Sequence, residues 1–320
     1  MAGYHLTDEE WIKAWNECGS VTLFAEKYKI AHRNVYARRR SLENRLGIQL
    51  PSFASQNPAY FKKVEQTPGN ARRGIDLEKG KVVVFSDAHF WPGEVTTAYK
   101  ALLKIIKEHK PKVIVANGDI FDGAQASRHA RIGWEKAPSV KEELEFCIEM
   151  MEGIEKVSNN AELIWTLGNH DARFETFLSA QTSMYEGVQG FTLKDHFPMW
   201  KPCWSFWVNE DTCIKHRWKG GFGAGRANTL NSGVNIVTGH THNLAVQPLT
   251  DYNGTRYGIQ TGFLADIHGE QFMAYTEDGC KDWRSGFALL SFERGRLILP
   301  ELIQVCGEDE YEFRGAIHKV

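Results

Sequence analysis

Five short polar motifs follow runs of β-branched and apolar residues, and they constrain the fold more than any other feature of the chain. In order they are Asp87-Ala88-His89, Gly118-Asp119-Ile120-Phe121-Asp122, Gly168-Asn169-His170-Asp171, the single His216, and Gly239-His240-Thr241-His242. Short apolar runs with polar boundaries are typical of strands buried between helical layers. Each motif is therefore predicted to lie in a loop at the end of a strand.

From residue 81 onwards, strand-like runs alternate with amphipathic helices. Strands are predicted over residues 82–85, 113–116 and 163–166, and helices over residues 95–109 and 140–157. After about Phe191 the helical pattern fades, and short strands are predicted at residues 205–208, 212–215, 236–238, 257–261, 287–292 and 296–299. An α/β half followed by a β-rich half indicates two sheets packed face to face with helices outside.

The first 50 residues have a different pattern, which predicts a small helical domain. A linker rich in Pro and Gly is predicted at 51–80, and the main domain at 81–320. Thr7 and Glu10 form a capping-box signature, a second helix covers 21–28, and a turn at 29–31 leads to a third helix ending near Gly47. The third helix is basic, and its arginines are Arg33, Arg38, Arg39, Arg40 and Arg45.

Two short helices around a brief turn, the second of them basic, resemble a helix-turn-helix. This resemblance predicts that the five arginines contact nucleic-acid phosphates. The turn lacks the glycine commonly found there. The alternative is a solvated helix in an accessory bundle, or one that mediates self-association into a homo-oligomer.

Charge and cysteine content narrow the choice of partner and site. The formal net charge is −2, which favours no particular partner. The six cysteines are scattered without a Cys-x-x-Cys pair, which argues against a sulfur-ligated zinc site. No basic and apolar leader opens the chain and no apolar run is long enough to span a bilayer, so we expect a cytoplasmic protein with no membrane partner.

The motifs supply carboxylate, amide and imidazole groups, which are ligands that Mn²⁺, Fe²⁺ and Zn²⁺ accept. The candidate ligands are Asp87, His89, Asp119, Asn169, His216, His240 and His242. Two cations about 3.5–4 Å apart would clamp a phosphate and ionise water at neutral pH. The sequence therefore predicts two divalent metal ions, Mn²⁺ first, with Fe²⁺, Zn²⁺ or Ni²⁺ as alternatives. Gly118, Gly168 and Gly239 beside the ligands are expected to allow sharp turns.

Over residues 81–262 the series resembles the calcineurin-like metallophosphoesterase superfamily, whose pattern is D-x-H, G-D-x-x-D, G-N-H-[DE], a lone H and G-H-x-H. The resemblance implies an α/β fold, a four-layer α/β/β/α sandwich with the metals at the strand ends. It also implies two ligand sets that share Asp119: Asp87, His89, Asp119 and His242 for one metal, and Asp119, Asn169, His216 and His240 for the other. The segment 283–287 and the C-terminal strands resemble the tail of bacteriophage-type members.

The same resemblance assigns roles to the remaining motif residues. His170 is similar to the catalytic histidine of the family, Asp171 is expected to orient its imidazole, and Asp122 is expected to hydrogen-bond a metal ligand. The implied reaction is in-line attack by a hydroxide activated by two metals. The lone His216 departs from the pattern because Arg217 follows it in place of the usual glycine, and His196 competes with it for this role.

The sequence favours a phosphodiesterase or nuclease acting on nucleic acid, because a basic helix precedes the motifs. Arg128 and His129 lie in a stretch that could overhang the site, and Arg173 could grip a phosphate oxygen or simply begin a helix. The alternatives are a phosphomonoesterase, a small-molecule (for example cyclic-nucleotide) phosphodiesterase, and a non-enzymatic nucleic-acid-binding scaffold. Protein dephosphorylation is disfavoured, because Gly123 follows the second motif where protein phosphatases have arginine.

Overall fold

The computed structural model describes residues 6–18, 21–48, 50, 71–127, 137–221, 223–269, 271–272, 276 and 281–320. The chain divides into two compact units, Met1–Thr67 and Pro68–Val320. The smaller unit contains the three predicted helices, α1 (Asp8–Cys18), α2 (Val21–Tyr28) and α3 (His32–Leu46). The helical prediction for this part of the chain is confirmed.

The predicted capping box and an aromatic core account for the helices of the smaller unit. The Thr7 backbone N–H donates to Glu10 Oε2 at 2.8 Å, and the Thr7 hydroxyl accepts from the Glu10 N–H at 3.3 Å. Trp11 and Trp15, one helical turn apart, stack with ring centroids 5.2 Å apart and pack with Phe24. Burial of these rings is the main source of stability available to so short a segment.

The turn between α2 and α3 needs a left-handed residue, and the chain uses lysine there. Lys29 has a φ of +51°, and Gly47, which ends α3, has a φ of +64°. A left-handed lysine is costlier than a left-handed glycine. The turn nevertheless forms without the glycine commonly found there, because Lys29 adopts the left-handed conformation.

The larger unit is built from two sheets and five further helices among its described residues. The strands are β1 (Arg72–Ile75), β2 (Lys79–Phe85), β3 (Val113–Ala116), β4 (Glu162–Thr166), β5 (Lys201–Cys203), β6 (Ser205–Val208), β7 (Thr212–Ile214), β8 (Asn235–Thr238), β9 (Leu244–Asp251), β10 (Gly254–Thr261), β11 (Gly286–Glu293), β12 (Arg296–Leu297), β13 (Glu301–Gly307), β14 (Glu310–Phe313) and β15 (Ala316–Lys319). The helices are α4 (Thr97–His109), α5 (Val140–Val157), α6 (Asp171–Gln181), α7 (Leu193–His196) and α8 (Ala224–Ser232).

The two sheets differ in the number and the order of their strands. One has the order β1-β6-β7-β8-β10-β9, and the other the order β15-β14-β13-β11-β2-β3-β4-β5, with β12 beside β11. Strands β2 to β5 run parallel to one another, as βαβ connections require. The parallel strands are the ones whose ends carry the first three polar motifs.

Alternation along β2 shows how the layers form. Val82 and Val84 lie in the apolar cluster between the two sheets, whereas Val83 and Phe85 lie in the cluster formed with α4 and α5. Both faces of this strand are therefore buried, as its continuous apolar run predicts. Helix α8 packs on the other sheet, against β8, β9 and β10. The result is the predicted four-layer α/β/β/α sandwich.

The predicted linker at 51–80 overlaps a strand. Strand β1 pairs in parallel with β6, with Arg72 opposite Ser205, and the Arg72 guanidinium lies 3.8 Å from the ring centroid of Trp207. Prolines and glycines without a sustained periodicity predicted a linker here, whereas Arg72 lies in a strand and covers an aromatic ring. Residues 51–70 lie outside the described part of the chain.

Helices α7 and α8 were not predicted, and neither were strands β5, β9, β13, β14 and β15. For α6, the only prediction was the alternative that a helix begins near Arg173. Helix α8 reads AGRANTLNS and buries Asn228 and Thr229, so polar side chains occupy its inner face and mask the helical pattern. Among the described residues, no helix combines the length and the apolar character needed to cross a bilayer.

Close packing of α8 on β10 yields a stability prediction for Gly258→Ala. A Cβ at residue 258 would lie 2.1 Å from the backbone oxygen of Gly225, so α8 would have to move. Overpacking of this kind costs about 1–3 kcal/mol. We expect a loss of that size in the free energy of unfolding, measured by urea denaturation.

Gly220→Ala is the matched control for this substitution. A Cβ at residue 220 meets no heavy atom within 4 Å, so its stability should stay within about 0.5 kcal/mol of the parent protein. Equal stability of the two variants would show that α8 does not depend on this close contact.

Candidate metal centre

The polar motifs lie where strands of both sheets end. The first three follow β2, β3 and β4 of one sheet, and His216 and the Gly239–His242 motif follow β7 and β8 of the other. The prediction that each motif follows a strand is confirmed. Because the two sheets pack face to face, these strand ends meet at one edge of the sandwich.

Five of the seven candidate ligands have a left-handed backbone. Their φ values are +50° at Asp87, +38° at His89, +53° at Asp119, +69° at His240 and +55° at His242. Non-glycine residues rarely adopt this conformation, and each instance costs about 1–3 kcal/mol. Backbone conformations of this cost cluster at functional sites, where the surrounding structure holds them in place.

The glycines beside these residues allow side chains of other loops to pack closely against the backbone, in addition to allowing sharp turns. A Cβ on Gly168 would lie 2.1 Å from Asp119 Oδ1, and one on Gly239 would lie 2.5 Å from Asp87 Oδ2. Gly118, with a φ of +81°, both turns the chain and leaves room for the His216 ring at 2.4 Å. The turning role predicted for all three holds for Gly118, whereas Gly168 and Gly239 are needed because a carboxylate packs against them.

The donor atoms converge in three groups. In each group, one ligand atom per residue lies within 4.8 Å of the others: Asp87, His89 and His242; Asp119, His216 and His240; and His89, Asp119 and His170. Asp119 belongs to two of these groups. His216 Nε2 lies 3.0 Å from Asp119 Oδ2, and His242 Nε2 lies 3.2 Å from Asp87 Oδ1.

Several buried donor atoms have no hydrogen-bond partner among the described residues. They are His89 Nε2, Asn169 Oδ1 and His242 Nδ1, while His216 Nε2 makes only the ion-pair contact with Asp119 given above. Buried polar atoms are nearly always hydrogen-bonded, and an exception calls for an ion or a water molecule. Unpartnered imidazole and amide atoms around two carboxylates are the donor set that a divalent transition metal accepts. The residues present therefore fit the predicted metals.

Opposite charges stabilise one another in this cluster. Burial alone would raise the pKa of Asp119, but the His216, His170 and His89 imidazoles outweigh it and hold the pKa far below its ordinary value. Burial would lower the pKa of His216, yet the charges of Asp119 and Asp87 raise it to about 9. A bound cation would replace the proton of such a histidine, so binding releases protons.

Asp171 does not orient the imidazole of His170, contrary to the prediction. Its carboxylate accepts from the backbone N–H groups of Asp119 (2.9 Å) and Gly168 (2.8 Å), and from Trp165 Nε1 (3.0 Å). It also accepts from the N–H groups of the two residues after Asp119, at 2.9 and 3.1 Å. Both oxygens are thus occupied, and Asp171 joins the second and third motif loops.

His170 is held instead by Asp122 and Arg173. His170 Nδ1 lies 2.8 Å from the Asp122 carbonyl oxygen and 3.1 Å from Asp122 Oδ1, while Arg173 Nη2 lies 3.1 Å from His170 Nε2. A carbonyl oxygen only accepts and a guanidinium only donates, so Nδ1 carries the proton and Nε2 presents its lone pair. Arg173 thus lies within α6 and also contacts the predicted catalytic group.

Asp122 occupies the position predicted for it. Its Oδ1 lies 2.8 Å from His89 Nδ1, which leaves His89 Nε2 free to face the donor cluster. A carboxylate on the far nitrogen of a ligand histidine fixes the ring and its tautomer.

Three other candidates lie outside the donor groups or outside the described residues. His196 on α7 has its Nε2 2.8 Å from the Gly190 carbonyl oxygen and belongs to none of the groups, so His216 is the lone histidine that reaches them. Arg128 and His129 lie outside the described residues.

Two of the α3 arginines contact residues of their own helical unit. Arg39 donates to Glu43 Oε1 at 3.0 Å and to the Leu50 carbonyl at 2.8 Å. Arg38 donates to the Leu6 carbonyl. The guanidinium N–H groups of Arg38 and Arg39 thus donate within the helical unit, whereas the helix-turn-helix interpretation predicts that they donate to phosphates.

The remaining α3 arginines differ from one another. Arg45 donates to Asp8, Arg40 is exposed, and the side chain of Arg33 is not among those described. The predicted contact of these arginines with nucleic acid stays a prediction.

Two features at the site were not predicted from the sequence. Glu143 on α5 is fully buried, accepts from the Gly123 N–H at 2.6 Å, and has its pKa raised to about 7 by burial. Its position on the apolar face of an amphipathic helix was a signal for it. Trp283 packs against His242 with ring centroids 4.3 Å apart, and isolated aromatic residues give no such signal.

Comparison with known proteins identifies the family. The family model described as calcineurin-like phosphoesterase matches residues 80–244, slightly more than half of the chain. The chain belongs to the calcineurin-like phosphoesterase family. It is therefore a hydrolase that acts on phosphoester bonds, and the donor groups described above lie within the matched residues.

Three solved structures resemble this calcineurin-like phosphoesterase weakly. An archaeal phosphodiesterase is 17% identical, with 70% of this chain and 99% of that chain covered and a TM-score of 0.37. Vps29 from Entamoeba histolytica, complexed with zinc, is 12% identical, with 74% and 96% covered and a TM-score of 0.38. The E. coli phosphoesterase Yfce is 12% identical, with 69% and 97% covered and a TM-score of 0.30. The comparison with curated proteins found no match.

The contacts of Asp171 predict that this phosphoesterase needs the carboxylate for stability. In Asp171→Asn, an amide nitrogen would face N–H donors and leave at least one of them unpaired. We expect the free energy of unfolding to fall by about 3 kcal/mol in urea denaturation.

Asp309→Asn is the control for the loss of one carboxylate charge. Asp309 is exposed and pairs with Lys100 at 2.6 Å, so its loss should cost at most about 1 kcal/mol. If Asp171→Asn were as stable as this control, the two motif loops would not depend on Asp171.

Proposed function

We propose that the chain is a two-metal phosphodiesterase that hydrolyses nucleic acid. The observation that carries the proposal is the sharing of Asp119 between donor groups at the meeting of the two sheets. A carboxylate common to two groups is what a pair of closely spaced cations requires, and such pairs serve phosphoester hydrolysis.

The family resemblance divides the seven predicted ligands into two sets that share Asp119. Asp87, His89 and His242 would hold one cation together with Asp119; Asn169, His216 and His240 would hold the other with Asp119. When bound, the two cations supply Lewis-acid polarisation of the phosphate and acidification of water.

His170 and Arg173 are the groups best placed to act on the substrate directly. Arg173 Nη2 contacts His170 Nε2, so a phosphate oxygen entering here would meet a guanidinium donor first. Once the guanidinium pairs with phosphate, His170 Nε2 is free to take up a proton from water, and it can then donate that proton to an oxygen of the reacting group. Asp122 keeps the imidazole oriented through Nδ1 throughout.

A nucleic-acid substrate is supported by the distribution of cations. Arg173 provides a positive charge at the donor groups, and Arg40 is exposed on α3 of the helical unit. Phosphate recognition by arginine is the largest sequence-independent contribution to nucleic-acid binding. We therefore place nucleic acid ahead of a phosphomonoester or a cyclic nucleotide as substrate.

The first test is metal-dependent hydrolysis. We expect Mn²⁺-loaded protein to hydrolyse bis-p-nitrophenyl phosphate and a labelled oligonucleotide, and chelation to abolish both activities. Fe²⁺, Zn²⁺ and Ni²⁺ are tested in parallel, since the donor set accepts all of them. Metal-replete protein that cleaved p-nitrophenyl phosphate alone would be a monoesterase, and one that cleaved no ester would be a binding scaffold.

A second test separates His170 from the metal ligands. His170→Ala should retain its metal, measured by elemental analysis, while its kcat for the diester falls by about 10²–10⁴-fold, the usual contribution of a positioned acid or base. Asp119→Asn should lose both metal and activity, and His196→Ala should lose neither. Loss of metal from His170→Ala would instead make His170 a ligand, as its distance to His89 and Asp119 permits.

A further inference from the structure

The loop after β7 carries an exposed tryptophan between two cations, directly after a candidate metal ligand. Arg217, Trp218 and Lys219 follow His216, and all three are exposed, the tryptophan to 44%. We call residues 217–219 the Trp218 loop. A large exposed aromatic side chain two residues after a candidate ligand, flanked by positive charge, suits a ligand that is both flat and anionic.

The Trp218 loop is fixed to helix α8. Asn228 is fully buried, its Oδ1 accepts from the Lys219 N–H at 3.1 Å, and its Nδ2 donates to the Lys219 carbonyl at 3.3 Å. Lys219 Nζ also donates to Asn231 Oδ1 at 3.1 Å. One end of the loop is thus held by His216 and the other by Asn228, so the backbone that carries the tryptophan is anchored on both sides before any ligand binds.

The surroundings of the indole are positively charged. Lys215 Nζ lies 5.8 Å from the centroid of the Trp218 ring. Arg217 follows the candidate ligand His216 directly in the chain, and its side chain is exposed. The loop therefore combines an aromatic surface with a guanidinium beside the donor groups.

We propose that the Trp218 loop binds the nucleotide next to the scissile phosphate of a single-stranded nucleic acid. Trp218 stacks on the base, and Arg217 pairs with the flanking phosphate. The inference rests on the proposed function and names its substrate class. Small phosphodiesters have neither a base nor a flanking phosphate, so their hydrolysis does not use the loop.

The same chemistry favours single strands over duplexes. In a duplex the bases stack on one another, and exposing one costs unstacking and unpairing energy. An exposed tryptophan on an anchored loop beside His216 therefore selects a strand whose bases are already available.

Trp218→Ala in the full-length, Mn²⁺-loaded protein tests the stacking. We expect KM for a single-stranded 12-nucleotide substrate to rise about tenfold or more, as loss of one stacked base implies. Hydrolysis of bis-p-nitrophenyl phosphate and metal content should not change. Trp218→Phe should restore most of the oligonucleotide affinity. Trp204→Ala is the matched control, because Trp204 is exposed to 51% on another part of the same unit.

Arg217→Ala tests the flanking phosphate. We expect weaker oligonucleotide binding, measured by fluorescence anisotropy, and a salt dependence with one fewer phosphate contact. Arg296→Ala, which removes an exposed arginine on β12, should leave both unchanged. Metal content and bis-p-nitrophenyl phosphate turnover, measured on each variant, show whether the neighbouring His216 is intact.

The outcomes separate this inference from the proposed function. If the parent protein cleaves duplex nucleic acid and bis-p-nitrophenyl phosphate but neither binds nor cleaves single strands, the inference fails and the proposed function stands. Equal losses on small and polymeric substrates in Trp218→Ala would assign the loop to support of His216 and overturn the inference. Unchanged oligonucleotide KM with lost self-association in sedimentation would make it a protein interface. Absence of all esterase activity in metal-replete protein overturns the proposed function itself.

Discussion

The burial of two carboxylates at the meeting of the sheets is the constraint on which the site depends. Asp87 and Asp119 lie almost wholly out of solvent, where an uncompensated charge would be prohibitively costly. Backbone N–H groups supply part of the compensation: His240 donates to Asp87 at 2.9 Å, and His170 donates to Asp119 Oδ1 at 2.8 Å. Imidazoles, and cations when bound, supply the rest of the compensating charge. The buried negative charge is therefore also the source of the affinity for metal.

That arrangement requires the strand ends to approach more closely than ordinary side chains permit. Because Gly168 and Gly239 have no side chains, the Asp119 and Asp87 carboxylates can pack directly against their backbones. Five of the ligands also adopt a left-handed backbone conformation. The Asp171 carboxylate holds two of the strained loops together through their N–H groups. The larger unit can sustain this strain because the strands that carry the motifs are buried on both faces.

The sequence correctly predicted the elements whose apolar residues recur at the regular spacing of a helix or a strand. Helix α5 and strand β3 have the predicted bounds because their apolar patterns are regular, and the motif spacing indicated the fold of the larger unit. Helix α8 was not predicted because its inner face is polar. Strand β1 was not predicted because it follows a stretch of prolines and glycines without a sustained periodicity. The role of Asp171 was wrong because adjacency in sequence suggested His170 as its partner, whereas helix α6 turns the carboxylate toward the neighbouring loops. No one-dimensional pattern reports such a direction.

The residues for hydrolysis and the residues for substrate selection lie in loops that are held in different ways. The donor groups follow buried strands and are fixed by glycine contacts and by carboxylates, so they tolerate little change. The Trp218 loop follows the same strand as His216 but is secured from outside, by Asn228 on α8. Arg217 occupies the position where the family pattern often has glycine, and a glycine there would offer no charge to a neighbouring phosphate. Recognition can therefore change by substitution at one exposed position without disturbing the carboxylates on which hydrolysis depends.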